Sequence, residues 1–459
     1  MTDSVSRETH TLSETPSAPA VAGADPKRGA RAVTATRTVE ETSETLSETM
    51  TQTTDTVALT GGTGDTCVGG AVADAAAPSA AGNPPRRAHR VLTAALGFAR
   101  HNVVLLVAFV AALLTAFLVP PDQTYLSYID FSTLSCLFST IAVVAALRHI
   151  RFFTVLAERI VALTGSLRAC MLALTYITFI GSMFIANDMA LLTFLPLGYL
   201  ILYSTGQQRY MAFTFIMQNI AANLGGMLTP FGNPQNLYLY TRFSIPTLEF
   251  MQIMLPCFLL AVLLITVCCL FLPASPLCIQ SEPIHLPLGR TLLYLALFVL
   301  SIAIVFRGIP YYIGLIIIPA VLLIADRKAL RMVDYPLLLT FTAFFIFSGN
   351  MARIPAVQTL FQSLLSRSTL LVSILCCQCI SNVPSAILLS PFTTDYASLL
   401  VGVNIGGTGT LIASLASLIT FREYTRHYPG RTGSYIGLFS LFNFGFLILL
   451  TTFQAVFFS

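Results

Sequence analysis

From residue 102 onward, apolar stretches long enough to cross a bilayer follow one another with little charge inside them. Hydrocarbon offers no water to pair a backbone N–H or C=O, so a spanning chain must satisfy its own backbone. Long apolar runs do this as helices. The chain is 55% hydrophobic and 10% charged, with mean hydropathy +0.77. A soluble domain carries about 25% charged residues. The expected fold class is therefore an all-α polytopic membrane protein, polar inside only where function or a break in a helix requires it.

Charge orients the spans. Arg86, Arg87, Arg90 and Arg100 precede the first one, about Asn102–Val119, which places the N-terminus in the cytoplasm. Pro120–Tyr128 has no Lys or Arg and is expected outside. Phe131–Leu147 returns to a basic stretch, within which Phe152–Leu163 has the pattern of an interfacial amphipathic helix. Later spans are expected at Glu249–Leu272, Thr291–Phe306, Tyr311–Ala325, Asp334–Gly349 and Ser434–Phe458. Two more, Tyr210–Tyr240 and Leu400–Phe421, are interrupted at Gly225-Gly226 and Gly406–Gly409. From residue 86 on, this assignment puts 16 Lys and Arg inside and four outside, a strong positive-inside bias.

Within the apolar sequence, one polar pattern occurs twice. Ala186-Asn187-Asp188 runs to Pro196, and Ser381-Asn382-Val383 runs to Pro391. The Asn and the Pro are 195 residues apart in both cases (382 − 187 and 391 − 196). Each copy is followed by Asn-x-Gly-Gly, at Asn223–Gly226 and Asn404–Gly407. Leu167–Tyr203 is long enough for two crossing arms with Asn187-Asp188 in the loop between them, or for a re-entrant hairpin with that pair at its tip. The second copy, Thr369–Leu399, also has its Asn between two apolar arms and favours the hairpin. Asp130 opens a span that starts outside, and Asp334 opens one that starts inside. The halves thus share one element order in opposite orientations: two inverted-topology repeats, each with a re-entrant hairpin and a broken transmembrane helix. The expected divisions are a disordered cytoplasmic tail 1–88, a first repeat 89–272, a connector and linking helix 273–306, and a second repeat 307–459.

Matched helix breaks in two halves of a membrane protein point to a transport site where the halves meet. Gly225, Gly226, Gly406, Gly407 and Gly409 let the backbone unwind and approach a ligand. Freed carbonyls suit a dehydrated Na+, and half-helix N-termini suit an anion. Asn187, Asn223, Asn382 and Asn404 each offer a donor and an acceptor, and Ser381, Thr229, Thr408 and Thr410 add hydroxyls. Asn233, Gln235 and Asn236 form the densest polar stretch in a span, with a smoother counterpart at Leu411–Ser417. Substrate-discriminating contacts are therefore expected on the first half. Asp188 is the notable carboxylate: it is costly in a membrane, and Val383 stands in its place in the second copy. The assigned midplane contains no Lys or Arg. No metal-ligand set is firm, but Na+ is placed at Asn187 and Asn382. No resident cofactor is expected, only Na+ or H+ as coupling ion.

Cys376, Cys377 and Cys379 are the only cluster among 10 cysteines, and they read as small apolar helix residues rather than a soft-metal site. Residues 1–30 lack the apolar core of a cleavable signal peptide, and the Thr-, Ser- and Glu-rich tail cannot bury enough apolar surface to order itself. A nucleophile elbow, a His-rich metal motif and a phosphate-cradling loop are absent from the sequence, so it is not read as an enzyme. Expected partners are a small-molecule or ion substrate, the lipid bilayer, and a second copy in a homodimer. Nucleic acid is not expected.

On the Asn187 and Asn382 tips and the two Gly-Gly breaks, residues 102–459 resemble the ion transporter superfamily. That superfamily holds divalent-anion:sodium symporters, citrate transporters, arsenite-pump membrane subunits and some sodium/proton antiporters. The symporters carry Ser-Asn-Thr at each tip; here the Asn is retained in both and the Thr in neither. Asn187-Asp188 and the segment Gly225–Asn236 look closer to the arsenite-pump, antiporter and citrate-transporter branches. The resemblance implies elevator-type alternating access by a secondary transporter. Its expected cargo is citrate or a dicarboxylate moved with Na+ or H+, or else Na+/H+ or arsenite on the same scaffold. The cell membrane is the expected location.

Overall fold

The computed structural model describes residues 102–277 and 286–458, so the expected disordered tail and the middle of the Pro-rich connector lie outside the described residues. Every regular element among the described residues is helical. The first eight longer helices are α1 (Val103–Leu118), α2 (Phe131–His149), α3 (Phe152–Ala162), α4 (Leu167–Ser182), α5 (Asn187–Ser204), α6 (Met211–Gly225), α7 (Pro234–Arg242) and α8 (Thr247–Leu270). After α9 (Leu288–Val305) come α10 (Tyr311–Ala325), α11 (Tyr335–Ala352), α12 (Pro355–Leu365), α13 (Thr369–Ile380), α14 (Asn382–Leu389), α15 (Tyr396–Ile405), α16 (Leu415–His427) and α17 (Thr432–Phe457).

The order of α1–α8 recurs in α10–α17. Asp130 and Asp334 both cap the second helix of their series, each accepting from the backbone N–H three residues on, at 2.9 and 3.0 Å. The third helix has 11 residues in both series. The fifth begins on Asn187 or Asn382, and the sixth ends at the first Gly-Gly pair or one residue short of the second. α2, α8, α9, α11 and the stretch ending in α17 are each long and apolar enough to cross a membrane. The expected breaks at Gly225-Gly226 and Gly406–Gly409 divide α6 from α7 and α15 from α16. Between α12 and α13 the axis turns by 119°.

The first helix of each series packs on the second helix of the other, α1 on α11 and α10 on α2. Both seams use small or branched residues at helical spacing: Ala108, Ala112 and Thr115 on α1, and Gly314, Ile318 and Leu322 on α10. In lipid, close backbone approach and interhelical hydrogen bonds replace the hydrophobic drive. Asn350 on α11 accordingly donates to Thr115 Oγ1 at 3.2 Å.

Segments that the charge count sorts to one side of a bilayer meet in the structure. Arg353 pairs with Asp122 at 2.8 Å, joining two loops expected outside, and Arg307, from another such loop, donates at 2.6 Å to the carbonyl of Tyr240, the residue expected to end an outward span. At the other end His149 pairs with Asp326 at 2.5 Å, Ser166 bridges Pro276, and Tyr199 stacks on His427 with ring centroids 3.7 Å apart. The Thr124 hydroxyl, with the Arg353 guanidinium, holds the Asp122 carboxyl below the usual carboxylate range.

α6 crosses α4 at a point where only glycine fits. A Cβ on Gly225 would drive into the Phe179 carbonyl oxygen and stand 2.6 Å from Ser182 Oγ. Gly225→Ala should therefore destabilise the protein by about 1–3 kcal/mol through overpacking. Gly433→Ala, with open space around it, should not. Thermal unfolding of the two variants in detergent compares them; equal midpoints would refute the close-approach assignment.

Candidate functional site

The two breaks cross, and side chains from each half complete the other. Asn223 lies in the last turn of α6, with Oδ1 accepting from Asn187 Nδ2 at 3.1 Å and from Ser414 Oγ, the cap of α16, at 2.7 Å. In the reciprocal arrangement, Asn404 Oδ1 accepts from Asn233 Nδ2 at 3.3 Å and from Gln235 Nε2 at 3.4 Å. Asn233 is the residue before α7, as Ser414 is before α16. Asn404 Nδ2 then donates to Asn236 Oδ1 at 2.6 Å. All six of these Asn and Gln side chains are buried.

The starts of α5 and α14, where the sequence places the two tips, are built alike. Asn187 Oδ1 and Asn382 Oδ1 each accept the next residue's N–H at 2.9 Å, occupying a donor that the helix start leaves free. Asn382 N donates to the Ala413 carbonyl at 2.9 Å, tying the second tip to the second break. Asn382 Nδ2 lies against Gly407, which Asn223 Oδ1 also approaches. Threonines brace each break to its own hairpin: Thr229 Oγ1 donates to the Met183 carbonyl at 2.7 Å, and Thr410 Oγ1 to the Gln378 carbonyl at 3.1 Å.

The structure thus brings together Asn187, Asn223, Asn233, Gln235, Asn236, Asn382 and Asn404, with Gly225, Gly226, Gly406 and Gly407 at the turns. Asn236 Nδ2 holds the carbonyls of Gly226, Met227 and Thr229, at 3.1–3.3 Å, so it closes the first break. Thr408 Oγ1 turns back to the Ile405 carbonyl at 2.7 Å and joins nothing across the site. Ser381 has φ 76° and ψ 159°, a region costly for any residue with a side chain, and its hydroxyl reaches Asn382 Oδ1 and the Ala413 carbonyl at 3.3 Å each. Asp188 is 5% exposed; it lies in the first turn of α5 and accepts the Met189 N–H at 3.0 Å.

Four features were not singled out from the sequence. Gln378 clamps the second break, donating to the carbonyls of Gly406 and Thr408 at 2.9 and 3.1 Å and accepting from Thr410 N at 2.8 Å. Asn219, one turn before Asn223, bonds Ser417 Oγ and Asn443 Oδ1 at 3.3 Å each. Ser414 and Ser417 belong to the stretch read as the smoother one, yet both are wired into the first half. Arg148, placed by charge beyond its span, is carried on by α2 until its Nη1 lies 3.5 Å from Met189 Sδ, beside the first tip. Helical spacing from Asn223 signals Asn219; nothing local signals the other three. Of the cysteines, Cys377 is buried against Gly406, Cys376 is half-buried and Cys379 is exposed.

These elements define a multi-pass helical membrane protein with paired, buried helix breaks. A profile of the citrate transporter family, CitMHS, matches residues 91–402, and the chain belongs to that family of membrane transporters. The chain is 29% identical to an uncharacterized transporter of Methanocaldococcus jannaschii over 72% of its own length and 90% of the relative's. It is 30% identical to the Escherichia coli inner membrane protein YbiR, over 67% of this chain and 84% of that one.

Two substitutions test the construction. Asn404→Ala removes the partner of three buried amides and should cost about 1–3 kcal/mol, more than Thr408→Ala, in thermal unfolding. Ser381→Gly should raise the midpoint by relieving a strain of about 1–3 kcal/mol. A lowered midpoint would mean that the hydroxyl's two contacts outweigh the backbone cost.

Proposed function

We propose that this transporter is a secondary active carrier of a small organic anion, citrate or a dicarboxylate, coupled to Na+ or H+. The observation that carries the reading is unfilled acceptor capacity at the crossing of the breaks. Asn233 Oδ1 and Gln235 Oε1 are buried without a hydrogen-bond partner among the described residues. Asn233 Nδ2 already faces the Asn223 carbonyl and Asn404 Oδ1, which fixes the amide with its oxygen turned the other way. Stranded acceptor oxygens are costly in a dry interior, and a dehydrated cation offsets that cost. Na+ bound there, or at the tips beside Asn187 and Asn382, supplies positive charge next to an incoming carboxylate. Gly225, Gly226, Gly406, Gly407, Thr229, Thr408 and Thr410 shape the two breaks around it.

The matched element order, the exchanged packing of α1 and α10, and the sorting of loops to two ends support two inverted repeats. In this arrangement α4–α5 and α13–α14 are re-entrant hairpins. The Lys and Arg bias supports a cytoplasmic N-terminus in the cell membrane, and the protein is taken to work as a homodimer.

A second reading, Na+/H+ exchange or export of arsenite or another inorganic oxyanion, has one observation in its favour. The buried Asp188 belongs to the first half alone, as expected of an ion or proton carrier. Transport in proteoliposomes under imposed Na+ or pH gradients separates the two. Uptake of citrate, succinate or malate that follows the gradient and survives Asp188→Asn is the expected result. Asn233→Ala should raise the Na+ concentration needed for half-maximal uptake. Na+/H+ exchange with no anion present, or arsenite export, would replace the first reading with the second.

A further inference from the structure

A small cavity separates α2 from the first hairpin tip and the first break, with room of about 20 Å³, enough for about one water. Its walls are mostly apolar, and include Ile141 and Val144 from α2, Met189 from the tip, and Phe231 and Pro234 from the break. Thr140 also lines it; this side chain is 7% exposed, and its Oγ1 has no hydrogen-bond partner among the described residues. Ile141, Val144 and Arg148 follow one another at helical spacing, so the same face of α2 that lines the cavity ends in a guanidinium.

Arg148 is poorly matched where it stands. A guanidinium has five N–H donors, and the only hydrogen-bond acceptor it meets among the described residues is Met189 Sδ, a weak one. Asp188 is near enough to act on it electrostatically, but the two form no ion pair. Met189 is thus both a wall of the cavity and the stopper on the guanidinium. Shifting it would open the cavity and free a planar fork of donors in one movement.

We infer that Arg148 binds a carboxylate group of the transported anion at this cavity, its fork replacing the Met189 sulfur with two carboxylate oxygens. Once Met189 has moved aside and enlarged a space that now holds about one water, the apolar walls take the carbon skeleton and Thr140 Oγ1 offers a donor. Arg suits this role because its donors match a carboxylate bidentately and its charge is not lost. The inference rests on the organic-anion reading above and adds to it the residue that recognises the carboxylate.

The test uses the full-length protein in proteoliposomes, with citrate and succinate as probes. Arg148→Gln should raise KM for the anion about tenfold or more, the scale of a lost charge-assisted bond. Arg148→Lys should recover part of that loss, and 22Na+ binding should be unchanged in both. On the folded wild-type protein, phenylglyoxal labelling of Arg148, read by peptide mass spectrometry, should fall in the presence of citrate while labelling of Arg422 does not. Unprotected labelling, or an unchanged KM in Arg148→Gln, would overturn the assignment even with anion transport intact. So would a variant whose pH profile shifts at constant KM, because Asp188 would then be the partner of Arg148. A wild-type protein that moves no carboxylate would remove the organic-anion reading itself, and this one with it.

Discussion

A helix broken inside a membrane leaves backbone groups that lipid cannot satisfy, and the rest of this structure is arranged around that constraint. Each break is answered locally by an amide. Asn236 holds three carbonyls of the first, and Gln378 holds two carbonyls and one N–H of the second. Around these, Asn223 and Asn404 join each break to the half-helix of the other series. Membrane hydrogen bonds average only about 0.6 kcal/mol each. Their importance here lies less in summed energy than in the cost of leaving any one group alone.

The two clamps differ in origin, which bears on how the halves behave. Asn236 belongs to α7, so the first break is closed by the half-helix that follows it. Gln378 belongs to α13, so the second break is closed by its own hairpin. At the position of Gln378 in the first hairpin stands Met183, which contributes a backbone carbonyl to Thr229. The second hairpin and its break are therefore joined through the Gln378 side chain as well as through backbone, and the first pair through the Thr229 hydroxyl and the Asn187–Asn223 bond. The halves share an architecture while differing in how firmly tip and break are coupled.

Much of this was legible in the sequence because it is written in local spacing. Apolar run length gave the helices, and α10 falls on its expected bounds, Tyr311–Ala325. Asn187 and Asn382 each open a helix, and both Gly-Gly pairs fall at breaks, because helix starts and interruptions are set by the residues that occupy them. Gln378, Ser414 and Arg148 were not legible. Their partners are brought to them by folding, from 28 residues away for Gln378 and Gly406 to 191 for Ser414 and Asn223. Arg148 also shows that charge counting locates a span's end only coarsely. A long, flexible cation can continue on its helix and turn inward rather than remain in the loop.

The cavity beside Met189 lies where the unlike surfaces meet. On one side α2 is engaged by α9 and α10, helices without a break. On the other are the first tip and the first break, held to the second half by the Asn223–Ser414 and Asn404–Asn233 bonds. The polar network binds tips and breaks to one another across the two halves. The wall against α2, by contrast, is mostly apolar. An apolar seam can slide without stranding hydrogen-bonding groups, whereas a polar one cannot. For a protein that works by alternating access, as proposed, motion along this seam would strand the fewest polar groups. If Arg148 binds the anion as proposed, anion binding and any movement of the tip would act on the same contact, that of Arg148 with Met189.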